Sequence, residues 1–259
     1  PGGVTTDDPT AGNGAATAGS DYTITSDNVV WTHGQSGSGN RRTFNIIVTP
    51  DDVVELDEEF RVLLDDVLDF TSGIESPLGD QVVNINSAGD ATGVINNDDQ
   101  AVVTIANPSP VMEGDAGTVD VTFVMTLSGT IDTELTMLFN TQGGNTLDNP
   151  ALSNTVSDPW KDDFVALSGT DMTIEANKLN DQDSRTVQVK GDNIIEQDEV
   201  FRFQLKNLST YYSTNANNAS LPGLIFDGNV SILEATATIQ NDDFGILHVT
   251  TEADRFETD

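Results

Sequence analysis

The chain has 259 residues, more than one β-sandwich needs and comfortable for two. Its 43 acidic and 10 basic residues give a formal net charge of −33, which excludes nucleic acid and anionic membrane as partners and calls for cations to hold a compact state. Cysteine is absent, which excludes disulfides and thiolate metal sites, and no apolar run reaches bilayer-spanning length, so membrane insertion is not expected.

In chain order, the first signal is Asp21-Tyr22. Phe44, Ile46 and Val48 then alternate with Asn45, Ile47 and Thr49, the period of a strand. An acidic run, Glu55-Leu56-Asp57-Glu58-Glu59-Phe60, leads into Phe60, Val62 and Leu64, whose spacing of two builds one buried face. Ala91, Gly93 and Ile95 form a narrow face before Asn97-Asp98-Asp99. Further on, Val119, Val121, Phe123 and Met125 make another strand, followed by Asp163-Phe164 and the pair Val187 and Val189. Phe201, Phe203 and Leu205 repeat the earlier face, and Ala235, Ala237 and Ile239 precede Asn241-Asp242-Asp243. Residues 34–40 and 143–154 read as surface loops, and no stretch sustains helical periodicity. Short strands separated by turn residues predict an all-β chain of antiparallel β-sandwiches.

These signals recur with one period. The Asn-Asp-Asp triplets are offset by 144 residues, the acidic runs by 141 and the Asp-aromatic pairs by 142. Glu113 follows Asp99 by 14 residues, as Glu257 follows Asp243. The expected organisation is a first repeat over 1–99 lacking its opening strands, a complete repeat over 100–243, and the first strand of a third repeat over 244–259. The chain opens mid-sequence and stops within a repeat, so it reads as a piece of something longer. Gly245-Ile246-Leu247-His248-Val249-Thr250 is strand-like, and the first repeat has lost such a strand. Strand exchange with another copy is therefore an expected partner mode.

In the complete repeat, the acids that recur lie at strand ends: Glu113, Asp163, Asp192, Glu196, Glu199, Asp242 and Asp243. A solvated acidic surface would scatter its carboxylates, whereas these keep register at the pole where sandwich loops gather. Hard cations such as Ca²⁺ take six to eight oxygens from carboxylates and backbone carbonyls. Clustered without a cation, the same acids would raise one another's pKa.

The string Asp-(Tyr/Phe), then Asp-x-x-x-Glu-x-Asp-Glu-x-Phe, then Ile-x-Asn-Asp-Asp resembles the Calx-β repeat of sodium–calcium exchangers, integrin β4 and large bacterial surface or secreted adhesins. The resemblance covers about 5 to 257 and implies tandem immunoglobulin-like β-sandwiches with Ca²⁺ at one pole. In the complete repeat it implies the acids above with the Ile194 carbonyl as ligands. In the first repeat it implies Asp21, Asp51, Glu55, Glu58, Asp98 and Asp99 with the Val53 carbonyl. The exchanger-type loop carries an Asp pair where this chain has Pro50 or Gly191 as the earlier member. Asn97 and Asn241 replace a third terminal Asp, and both departures imply fewer ions per repeat. Without a Glu113 equivalent, the first repeat's site is expected to be the weaker.

An enzyme is not expected. The two histidines, His33 and His248, are far apart and carry no partner motif, and Trp31 and Trp160 are the only tryptophans for a sugar platform. The expected function is a calcium-binding extracellular or cell-surface repeat module that stiffens an adhesion protein together with its neighbouring repeats. A calcium-sensing regulatory domain and a calcium-independent spacer are the alternatives.

Overall fold

A computed structural model of the chain describes residues 2–7, 14–25, 28–29, 42–64, 68–69, 76–77, 90–143, 151, 153, 162–206, 221 and 223–249. The expected loop over 34–40, most of that over 143–154, and Glu257 lie outside the described residues, as do His33, Trp31 and Trp160.

The strands run in chain order as β1 (Gly2–Asp7), β2 (Gly14–Ala15), β3 (Tyr22–Ile24), β4 (Asn28–Val29), β5 (Ile46–Val48), β6 (Val53–Val54), β7 (Glu58–Leu64), β8 (Leu68–Asp69), β9 (Ser76–Pro77) and β10 (Asp90–Ile95) in the first repeat. The second repeat follows with β11 (Ala101–Ile105), β12 (Val111–Met112), β13 (Gly117–Ser128), β14 (Thr130–Ile131), β15 (Leu135–Gln142), β16 (Ser168–Ile174), β17 (Gln182–Gly191), β18 (Glu199–Lys206), β19 (Leu224–Phe226) and β20 (Ile232–Gln240). A single 3₁₀ turn, Asp227–Asn229, is the one helical element among the described residues, and no helix is long and apolar enough to cross a membrane.

The second repeat is a sandwich of two sheets, β17-β13-β11-β19 and β12-β20-β18-β15-β16. Strict alternation builds it. Val121, Phe123, Met125 and Leu127 of β13 are buried while Asp120, Thr122 and Val124 face solvent. Phe123 stacks on Phe203 at 4.8 Å between ring centroids, and Phe203 on Phe139 at 5.4 Å. Ala237 and Ala235 lie opposite Phe201 and Phe203 across β18 and β20, so the narrow face read from the sequence leaves room for the rings. Pairing is mainly antiparallel, but β11 meets β19 and β12 meets β20 in parallel. Pro108 and Pro110, which lack an N–H, fall between β11 and β12 and end the first ladder, so the chain changes sheet there.

The first repeat is described in part. Its principal sheet runs β10-β7-β1-β4 with β2 on β7. Strand β5 corresponds to β17, and among the described residues it pairs with β3 alone. Its buried apolar core is Ala16, Tyr22, Phe60 and Val62, and Ile47, Val48 and Val94 are left exposed.

The second repeat supplies support. Strand β6 pairs in parallel with β14, matching Val53 with Thr130 and Val54 with Ile131. Val54 is fully buried within the second repeat's core, and Leu56 packs against the same cluster. Ala101 donates its N–H to the Gly223 carbonyl at 3.0 Å. Gly223 holds φ +89°, and a Cβ there would come within 2.1 Å of the Asp99 carbonyl, so this close seam needs glycine.

Residues 244–249 form no strand, which differs from the sequence expectation. Phe244, Ile246, Leu247 and Val249 are exposed. A strand needs a hydrogen-bonded neighbour, and no described strand pairs with this segment.

Candidate metal centre

The second repeat gathers its acids from four chain segments. Glu113 follows β12 and is set by its N–H donating to the Gln240 carbonyl at 3.2 Å. Asp163 precedes Phe164, which bridges to Val189, and the Asp163 carbonyl accepts the Lys190 N–H at 2.8 Å. Asp192 caps its own loop by accepting the Ile194 N–H at 2.7 Å. Glu199 opens β18 opposite Ile239. Asp163, Glu196 and Glu199 each offer a carboxylate oxygen, all within 4.8 Å of one another.

Glu113 is only 4 % exposed, and its Oε1 is buried with no hydrogen-bond partner, as is Asp243 Oδ2. An orphaned buried carboxylate oxygen is costly in water-free surroundings and is satisfied by a cation. The electrostatics agree. Burial, followed by Asp192, Glu196, Asp243 and Asp163, pushes Glu113 up to about 7. Burial, then a hydrogen bond and charge repulsion from Asp163, then Glu196 and Glu113, pushes Glu199 up to about 9. Burial and Asp115, Asp242 and Asp192 raise Asp243. This oxygen-only donor set fits a hard divalent cation such as Ca²⁺.

Asp242 stands apart from that group. It is exposed and its Oδ1 accepts the Gly114 N–H at 3.0 Å, holding the Glu113 loop against the last strand. Gly191 also has a steric reason. A Cβ there would approach the Gly114 and Glu113 carbonyls to 2.1 and 2.5 Å, so the Glu113 loop occupies the space an Asp would need.

The first repeat sets its counterpart acids around an open cavity of about 560 Å³ lined in part by Asp21, Asp51, Glu55, Glu58 and Asp99. Val53 donates its N–H to Asp51 Oδ1 at 2.9 Å, the counterpart of the Ile194 turn. Thr17 donates its N–H to Asp21 Oδ2. Burial leads in pushing both Glu55 and Glu58 up to about 7; Asp51, Asp132, Asp21 and Asp99 add to it for Glu55, and Asp21, Glu55 and Asp132 for Glu58. Asp98 is exposed and acts on Asp99, whose pKa burial also raises. The cavity reaches Ile95 and Asn96, the counterparts of Ile239 and Gln240, which hold β12 and Glu113 in the second repeat. It is the place a Glu113 equivalent would fill. Asp132 of the second repeat, absent from the sequence reading, adds to the charge repulsion on both glutamates.

Asn97 and Asn241 serve the site differently from the sequence reading. Asn241 Oδ1 accepts the Glu196 N–H at 3.1 Å, and its Nδ2 donates to the Asp243 carbonyl at 3.0 Å. Asn97 does the same with Glu55 at 3.0 Å and Asp99 at 3.1 Å. Asp198 and Asp57 accept the two Asn backbone N–H groups in turn. Only an amide can accept and donate in this way, so each Asn pins the acidic loop to the terminal Asp pair. Asn241→Asp should therefore lose a donor and add repulsion, lowering stability in EDTA by about 1–3 kcal/mol in urea unfolding. An unchanged midpoint would remove this pinning role.

The family model described as Calx-beta domain matches residues 5–88 and 96–243. No curated protein matches the chain. Among solved structures, the apo-form Calx CBD1 domain is 21% identical with a TM-score of 0.35, over 56% of this chain and 100% of that one. CBD12 from CALX1.2 is 22% identical with a TM-score of 0.35, over 55% of this chain and 46% of that one. The calcium binding domain CBD12 of CALX1.1 is 21% identical with a TM-score of 0.34, over 56% and 45%. The chain thus spans less than half the length of the two CBD12 structures.

Proposed function

The chain belongs to the Calx-beta family, and on that premise we propose that it is a calcium-binding repeat module that stiffens an extracellular or cell-surface adhesion protein. The observation that carries the calcium reading is the convergence of Asp163, Glu196 and Glu199 within 4.8 Å beside the buried, unpartnered Oε1 of Glu113. Bound there, Ca²⁺ would neutralise charge that otherwise drives the loops apart. Glu196 would hold it from the loop before β18 and Glu199 from that strand's first residue, with Asp163 before Phe164, Glu113 after β12 and Asp243 beyond β20. Such a grip ties the loop to the seam with the following residues and limits bending between repeats.

The extracellular and adhesive part of the reading draws on composition. The chain has no cysteine, carries a charge of −33 and repeats itself, which suits a medium where calcium is abundant. The reading is of a binding module, with no catalytic role for the acids.

Isothermal titration of EDTA-stripped protein with Ca²⁺ is expected to give dissociation constants on the order of 10⁻⁴ to 10⁻³ M. Small-angle scattering should show a narrower spread of shapes once the sites fill. Micromolar or tighter binding would replace the mechanical reading with a regulatory sensor. No binding up to millimolar concentrations would leave a calcium-independent spacer.

A further inference from the structure

We propose that Ile195 is a docking residue for a further β-sandwich repeat of this kind, entering its core as Val54 enters that of the second repeat. This goes beyond the calcium reading and does not rest on it. The seam between the two repeats supplies the pattern. Val54 lies on β6, pairs with Ile131 of β14, and its carbonyl accepts the Asp132 N–H at 3.2 Å. Its side chain is fully buried, in one cluster with Ala101, Val103 and Ile131 of the second repeat.

The offset of 141 that relates Glu55 to Glu196 places Ile195 at the position of Val54, and Ile194 at that of Val53. The local backbone matches too. Asp51 accepts the Val53 N–H and Asp192 that of Ile194, while Asn97 and Asn241 accept the N–H of the next acid, Glu55 or Glu196. Yet Val54 is fully buried and Ile195 is 61% exposed.

A lone exposed isoleucine is ordinary and needs no explanation. This one has company. Gly245 lies so close that a Cβ on it would come within 2.8 Å of Ile195 Cδ1. Phe244 and Ile246 flank that glycine and Leu247 follows, all three exposed. The offset of 144 matches Leu247 with Val103, which is fully buried in β11 between β13 and β19. Loop anchor and following segment are thus repeated beyond the second sandwich, apolar, in register and exposed. The occupant that fits is the one the first seam shows: a sandwich whose short parallel strand takes Ile194 and Ile195 as β14 takes Val53 and Val54. Leu56 has no apolar counterpart, because Gln197 stands there, so Ile195 is the single apolar anchor from its loop.

The test lengthens the full chain by inserting a second copy of residues 100–243 after Asp243, with 244–259 following it. Glu134→Ala, at an exposed position of the added copy, lets its peptides be told apart by mass. All measurements are made in millimolar calcium and none reads calcium binding, so the calcium reading is judged separately. Hydrogen exchange should find the Asp132 amide of the added copy protected, as at the natural seam. Ile195→Ser in the preceding repeat removes apolar surface without adding charge to the acidic loop. It should speed exchange at that amide about tenfold or more and lower the melting temperature by about 4 °C or more. In the ordinary chain the same change should move the melting temperature by less than about 2 °C. Val54→Ser in the ordinary chain should speed exchange at its own Asp132, and an unchanged rate would remove the pattern and the proposal with it. An added copy that stays unfolded, or an Ile195→Ser effect equal in both chains, overturns it as well. So does an ordinary chain that dimerises in sedimentation through Ile195, since the face then belongs to a second copy.

Discussion

Calcium added to EDTA-stripped protein should raise the melting temperature progressively, and magnesium at equal concentration should do so far less. A ligand that binds only the folded state stabilises by about 2.7 kcal/mol per site at one hundred times its dissociation constant. Two sites filled to that degree give about 5 kcal/mol, or a shift on the order of 10–20 °C for repeats of this size. The lower transition should belong to the first repeat, whose buried apolar core among the described residues is Ala16, Tyr22, Phe60 and Val62. Glu199→Gln separates the metal reading from that of a solvated acidic surface. Glu199 lies against Asp163, Glu196 and Glu113 and must take up a proton to be accommodated there, so a neutral amide should leave the EDTA form equally stable or more stable. The same change should abolish the calcium response of the second repeat. A variant that keeps the full calcium-induced shift would show that the ion, if bound, sits elsewhere.

The periodic part of this molecule was legible before any coordinates. Alternation of Val121, Phe123 and Met125, and of Phe201, Phe203 and Leu205, reports burial on one face of a strand, and the structure buries all six. The clustered acids were legible for the same reason: they recur at matching strand ends, and Asp163, Glu196 and Glu199 meet. Asp132 carried no such signal. It follows a two-residue parallel pairing of β14 with β6, too short to show a period. A reading that takes each repeat by itself passes over a carboxylate that the next repeat brings to the seam. The roles of Asn97, Asn241 and Asp242 were hidden differently. Beside Asp residues, an amide or carboxylate that holds backbone N–H groups has the same sequence signature as one aimed at a cation. Only the hydrogen bonds from Glu55, Glu196 and Gly114 separate them.

Acid should stabilise the calcium-free protein and weaken its hold on calcium. Glu55, Glu58 and Glu113 stand at about 7 in the folded chain and Glu199 at about 9, against an ordinary value of 4.5. Between those values the folded state holds more protons than the unfolded chain, so stability must fall as pH rises. Their contribution is fully present below about pH 4.5 and is lost progressively up to pH 7 for three of them and up to 9 for Glu199. After discounting for solvent screening, the loss across this window is on the order of 2–4 kcal/mol in all. Urea unfolding in EDTA at successive pH values should therefore give midpoints that decline from acid to neutral and beyond. With saturating calcium the decline should flatten or reverse, because the cation takes the place of the protons. Calorimetric titrations in buffers of different ionisation enthalpy should show protons released as calcium binds near neutral pH. A calcium-free midpoint that rises across this range would mean that these glutamates are solvated and apart. The four acids would then be surface charge, and the cation sites would have no basis.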